Sequence, residues 1–254
     1  TLPILANIKA HAKRNGLRDV YIRAFLAETQ ALRVNKTDDK TFEEIQKHFE
    51  RSLQEGDIVQ RSVIKNFYAL FLESNSHRFQ PVSSNRFIKA TSEEKQQIID
   101  SVFRTSLAAK AALQQELTTQ WSSLFDDTRN SYLMPTLYHL LAYQYLEVLR
   151  SRSDSLGEAD QLKAEVLVFN KQAGYAEATS YLLSKKLLDD SWNIASRLAE
   201  LNRIMEEQPS AYNAYILSRI AAAFHERADY KQAMQYVQRV FSAYPNSMWR
   251  AEAE

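Results

Sequence analysis

The sequence predicts an all-α protein, a succession of antiparallel helices, and three observations predict it. Glycine and proline are scarce, apolar residues recur at helical spacing, and hydroxyl-to-carboxylate pairs suited to helix starts precede several periodic segments. The 254 residues include only four Gly and five Pro, placed between periodic segments where helix ends tolerate them. An all-β chain of this size needs many more turn residues and runs of alternating apolar character, and neither is present.

Taken in chain order, Leu17, Tyr21, Ala24, Phe25 and Leu32 share one helical face between about 17 and 34. Val59, Val63, Phe67, Leu70 and Phe71 do the same between about 57 and 76. Thr41-x-x-Glu44, Thr91-x-x-Glu94 and Ser155-x-x-Glu158 read as capping boxes, in which hydroxyl and carboxylate satisfy the free amides of a first turn. The segment from Leu137 to Leu149 carries two stripes, Leu137, Leu141, Tyr145 and Val148 on one side and Tyr138, Ala142 and Leu146 on another. A helix apolar on more than one side belongs at a centre, covered twice. The pattern gives about ten helices in all.

The longest irregular stretch runs from about Ser74 to Thr91 and reads as a loop between helix pairs. A second polar run, Ser151 to Gly157, follows the central helix and is the best boundary between halves. We therefore expect an N-terminal helical array over 1–150 and a C-terminal one over 151–254, which can also form one continuous solenoid.

A repeat search sharpens the second half. With Pro245 as the proline closing a unit, Leu217, Ile220, Ala221 and Phe224 take inward positions of a first helix. Ala228, Tyr230, Ala233, Val237 and Val240 take the turn and second-helix positions. Small residues at Ala221 and Ala233 let two antiparallel helices approach closely, while Phe224, Tyr230 and Val237 are expected to fill the space around the contact. A weaker echo lies at Tyr175 to Ala178, followed by a helix capped by Asp190 and ending at Pro209. This spacing resembles tetratricopeptide (TPR) units. The period is not a clean 34 residues, so the implied fold is an irregular TPR-like helical-repeat array, a right-handed solenoid of antiparallel helix pairs.

A second resemblance covers roughly residues 77–254. His77-Arg78-Phe79, Asn85-Arg86-Phe87, Trp121 and Pro135-Thr136-Leu137-Tyr138 are similar to the N-terminal helical region of large bacterial alpha-2-macroglobulin-like proteins. The Tyr244-Pro245-Asn246-Ser247 run resembles the end of the TPR-like segment in that family, which precedes the macroglobulin domains. His139 departs from the resemblance, which leads one to expect an acidic residue. The likeness implies a non-catalytic N-terminal part of an envelope-associated protease trap, secreted or periplasmic, whose bait region and thioester lie far downstream. The start at Thr1 and the helix-like run Ala251 to Glu254 fit a piece of something longer.

Composition narrows the chemistry. Thirty-two basic residues against 31 acidic ones leave a net charge of +1, so no overall field favours nucleic acid or an anionic surface. Without cysteine the chain has no disulfides, thiolate metal sites or cysteine nucleophile, and it cannot itself form a thioester. No apolar stretch approaches the roughly 18–20 residues that a membrane helix requires. Four glycines leave little material for a phosphate loop, and no nucleophile elbow appears.

Individual residues add little catalytic promise. His225 and Asp229 stand one turn apart with Glu226 beside them, but two ligands do not make a metal site, and Asp229 reads better as the cap of the next helix. His11, His48, His77 and His139 are scattered without a nucleophile partner and suit surface or packing roles. The acidic doublets at Glu43, Glu93, Asp126 and Asp189 diverge by about 100° on a helix and suit helix starts. Lys9, Lys13, Arg14, Arg18, Arg23 and Arg33 give the first helices a mild basic bias, expected to be a solvated face. Aromatics left on a concave surface would be ligand candidates.

Function is thus expected to be non-enzymatic: a scaffolding or protein-interaction segment with no catalytic, cofactor or metal residues. Its partner would be another protein or other domains of the parent chain. The alternatives are a TPR-rich cell-surface protein binding glycans or nutrients, which needs exposed Trp and Tyr in a groove, and a metal-assisted helical enzyme, which needs three or more convergent polar groups.

Overall fold

The computed structural model describes residues 2–33, 38–124, 130–189 and 191–249. Among them lie fourteen α-helices, three short 3-10 segments and no strand, so the protein is all-helical. An isolated antiparallel bridge joins Leu117 and Thr136. The chain divides into two compact units, Thr1–Arg152 and Ser153–Glu254.

The first unit holds α1 (Leu2–Arg14), α2 (Arg18–Arg33), α3 (Asp39–Ser52), α4 (Ile58–Ser74), α5 (Arg86–Lys89), α6 (Ser92–Ser106), α7 (Lys110–Gln115), α8 (Asn130–Leu133) and α9 (Leu137–Arg150). Local chemistry sets these starts. The Asp57 carboxylate accepts from the Val59 and Gln60 amides, and Gln60 Oε1 accepts from the Asp57 amide, so α4 opens with these three amide donors satisfied. Gly56 stands just before this box at φ +80°, where a Cβ would come within 2.9 Å of Gln60 Oε1. Thr91 and Glu94 close the expected box on α6.

At the centre, α9 buries ten of its fourteen residues. Leu137, Leu141 and Leu146 are sealed from solvent, and Phe103 of α6 stacks on Tyr145 at 4.7 Å. Each such aliphatic side chain contributes about 1.5–3 kcal/mol of burial. Asn66 of α4 is also buried here and donates from Nδ2 to the Leu141 carbonyl at 3.2 Å. The unit ends on a charge cluster. Arg152 donates to Asp100 of α6 at 2.8 Å and to Glu73 of α4 at 2.5 Å.

The second unit holds α10 (Leu156–Ala173), α11 (Ala176–Leu188), α12 (Leu198–Glu207), α13 (Asn213–Glu226) and α14 (Tyr230–Ala243). Helices α13 and α14 pack against each other as a hairpin across Arg227–Asp229, with Ala228 in the left-handed region at φ 59°. Leu217, Ile220 and Ala221 close the seam from one side, and Ala233 and Val240 from the other. Tyr212 lies under Tyr181, Tyr215 and Trp249, and this burial pushes its hydroxyl pKa up.

Several expectations need correction. The helix count rises from about ten to fourteen because α5, α7 and α8 are too short to show a period. The box at Thr41 does not form: Asp38 caps α3 by accepting from the Thr41 amide at 2.8 Å, which leaves Glu43 and Glu44 inside the helix. Ser155 turns its hydroxyl to Asp154 and makes no cap bond to α10. Leu17 precedes α2 and is exposed. Tyr230 is 63% exposed rather than filling the α13–α14 seam, because a side chain in a first turn leans toward the helix N-terminus, here over His225 at 5.3 Å. Asp126, Asp127 and the proposed cap Asp190 lie outside the described residues.

Candidate interaction surfaces

Three of the basic residues of the first two helices are paired with carboxylates, while Arg14 and Arg23 are exposed. Lys9 meets Glu28 at 2.6 Å, Lys13 meets Glu55 at 3.2 Å, and Arg18 reaches both Asp57 and Glu116 at 2.6 Å. Three charges of the run thus meet carboxylates from α2 itself and from three places further along the same unit.

One of these pairs extends into a cluster with a chemical look. Glu28 of α2 is buried, and His48 Nε2 of α3 stands 3.6 Å from its carboxylate. Phe25 stacks flat on the imidazole at 4.7 Å. Burial, followed by the Lys9 ammonium, holds the His48 pKa below its ordinary value of 6.5, against an opposing pull from Glu28. A carboxylate beside an imidazole is the orienting half of a catalytic triad, yet 3.6 Å is too long for a hydrogen bond and His48 Nε2 meets no protein partner. The nearby phenol is Tyr21, whose pKa is raised to about 12, first by burial and then by Glu55. Packing accounts for the cluster.

Next to it lies an apolar groove of about 480 Å³ between α2 and α4, floored by Leu26, Phe67, Leu70 and Phe71. Its rim carries Arg33, whose guanidinium sits 5.8 Å from the Phe71 ring. The second surface is the outer side of α14, where Tyr230 and Met234 are exposed, Met234 by 57%, and Val237 and Phe241 are half-buried. Phe224 of α13 does not join that stripe; it stacks on Tyr236 at 5.7 Å.

The other residues singled out from sequence fall as follows. Asp229 caps α14 by accepting from the Gln232 amide at 3.1 Å, while His225 lies against Tyr230. Among the described residues no three His, Asp or Glu side chains converge as a metal site would require. His11 and His77 are exposed. His139 is buried and takes the acceptor role three residues into α9, its Nδ1 facing Thr136 Oγ1 at 2.8 Å and receiving the Thr136 amide. That contact explains how an imidazole serves where an acidic side chain was expected. Trp121 and Trp249 are buried, the former donating to Glu116 at 3.2 Å.

Two structurally important cations escape sequence reasoning. Arg152 sits in a run that reads as a polar boundary, and nothing in the sequence singles out Lys95. Lys95 is 2% exposed, donates to the carbonyls of Ser76 and Arg78, and rests between the Phe79 and Phe87 rings. Burial lowers its pKa.

These features define an all-helical protein with two apolar faces left open, the groove between α2 and α4 and the outer side of α14. The chain matches no family profile, no curated protein and no solved structure. No helix among the described residues is long and apolar enough to cross a membrane.

Proposed function

We propose that the chain is a non-enzymatic scaffolding and protein-interaction segment, built as an irregular TPR-like array of antiparallel helix pairs in a right-handed solenoid. The observation that carries this reading is the α13–α14 hairpin, closed on one side at Ala221, Ala233 and Val240 and open on the other at Tyr230 and Met234. A helix pair with one closed and one open apolar face is the unit that repeat arrays stack, and the open face takes either the next pair or a partner. The sequence resemblance extends the proposal to the N-terminal helical part of an envelope alpha-2-macroglobulin-like protease trap, periplasmic or secreted. Under it, the surface would meet other domains of the parent chain or another protein. The glycan-binding reading gains no support from Trp121 and Trp249, which are buried.

The test is to compare this chain with the product of its natural reading frame by hydroxyl-radical footprinting of Tyr230 and Met234. Protection of both side chains, in a product whose added sequence encodes β-sandwich domains, is the expected outcome. Equal labelling in both forms rejects the open face as an interface, and a frame without β-rich domains rejects the protease-trap assignment.

A further inference from the structure

The groove between α2 and α4 has walls in matching register. Leu26, Thr29, Gln30 and Arg33 line it from α2, and Phe67, Leu70, Phe71 and Ser74 line it from α4. Both sets follow the spacing i, i+3, i+4, i+7, so each wall is a single helical stripe about 10 Å long. The two helices run the same way. Arg18, the first residue of α2, pairs with Asp57 at the start of α4 at 2.6 Å, and Arg33, the last residue of α2, lies over Phe71 near the end of α4. Phe49 of α3 holds the base, meeting Phe25 at 5.1 Å and Phe71 at 5.6 Å.

The two ends of the groove differ. Leu26 and Phe67 make one end apolar, whereas Gln30, Arg33 and Ser74 make the other polar. Among the described residues that line the groove, Arg33 is the one charged side chain; it is exposed, and no described carboxylate pairs with it. Glu28 and Glu73, on the same two helices, turn to Lys9 and to Arg152 and do not line the groove. Both α2 and α4 end here, so two helix macrodipoles direct their negative ends to the place where the Arg33 cation stands.

We propose that this groove receives an amphipathic helix of a partner protein, lying antiparallel to α2 and α4, with apolar residues at i, i+3, i+4 and i+7 and an Asp or Glu in its first turn against Arg33. Electrostatics decides between this occupant and a fatty carboxylate of similar length. A lone carboxylate would meet Arg33 but also the negative ends of two helices. A helix beginning there brings its own positive end to those termini and its first-turn acid to Arg33. Two parallel stripes with a furrow between them are also what a third stripe of side chains packs into. A two-turn contact is small, so the attachment is weak and reversible. The inference concerns the first unit and stands independently of the open face of α14.

Hydrocarbon-stapled, amidated peptides of about 15 residues test it by fluorescence anisotropy. All carry Leu at i, i+3, i+4 and i+7; the first has a Glu pair in its first turn, the second has the same pair in its last turn, and the third has a Lys pair in its first turn. The first should bind saturably, and the second about fivefold more weakly. With Arg33→Glu the preference should reverse, so that the third peptide binds better than the first. Arg33 is exposed, so this variant keeps the fold, and circular dichroism checks it. Leu70→Asp should lower affinity for the first peptide by more than about tenfold. Absence of saturable binding by the first peptide, equal binding of the first and second, or an Arg33→Glu chain that still prefers the first overturns the proposal. Self-association that Leu70→Asp abolishes overturns it too, and gives the groove to a second copy of this chain.

Discussion

Helices α9 and α14 are both fourteen residues long, and they make opposite use of that length. The first buries ten residues on several sides, and the second buries two, Ala233 and Val240. Both are recognisable as helices from spacing alone. What separates them is the number of apolar stripes: two stripes require neighbours on two sides, whereas one broad stripe is only partly spent on α13. Position within the assembly of helices, not helical propensity, decides the stability carried by each residue.

That contrast can be broken at its strongest point. Leu141→Ala in α9 removes a side chain with no exposure and should cost about 3 kcal/mol in chemical denaturation. A cost below about 1 kcal/mol would mean that the centre is loosely packed. Arg152→Ala comes next. It leaves Glu73 and Asp100 without their shared cation, and a loss of about 2 kcal/mol is expected, reduced from the fully buried case because Glu73 is partly exposed.

The acid sensitivity of the first unit is a subtler probe. The folded His48 has a pKa below 6.5, so as pH falls through that value the unfolded chain takes up a proton that the folded one refuses. Stability is therefore fully present above the unfolded pKa and declines on acidification toward the lower folded pKa. His48→Gln should flatten that part of the urea-midpoint profile, and an unchanged slope would remove His48 as a cause. The smallest effect belongs to α14: Met234→Ser should change stability by less than about 0.5 kcal/mol, while weakening whatever association the open face supports.

The same comparison explains what the sequence could disclose. The two stripes of 137–149 and the seam residues of 217–240 were legible because burial there follows a period. The start of α3 was not, since Asp38 and Thr41 are both competent caps and the stronger acceptor wins from three residues upstream. His139 could have been found: it stands three residues after Thr136, where a capping box wants an acceptor, and an imidazole nitrogen is one. Lys95, Arg152 and the His48 cluster had no such signal. Their partners are distant in sequence, and Lys95 depends on main-chain carbonyls that no residue type announces.

Asn66 has a consequence larger than its two hydrogen bonds. Buried between helices, its amide reaches the Leu141 carbonyl of α9 and the Ser106 hydroxyl of α6 only when these helices are aligned as they are; sliding α4 by one residue would leave the amide unsatisfied in the interior. Aliphatic contacts tolerate such slippage with little complaint. A lone amide therefore acts as a notch, selecting one alignment out of several that oil alone would accept.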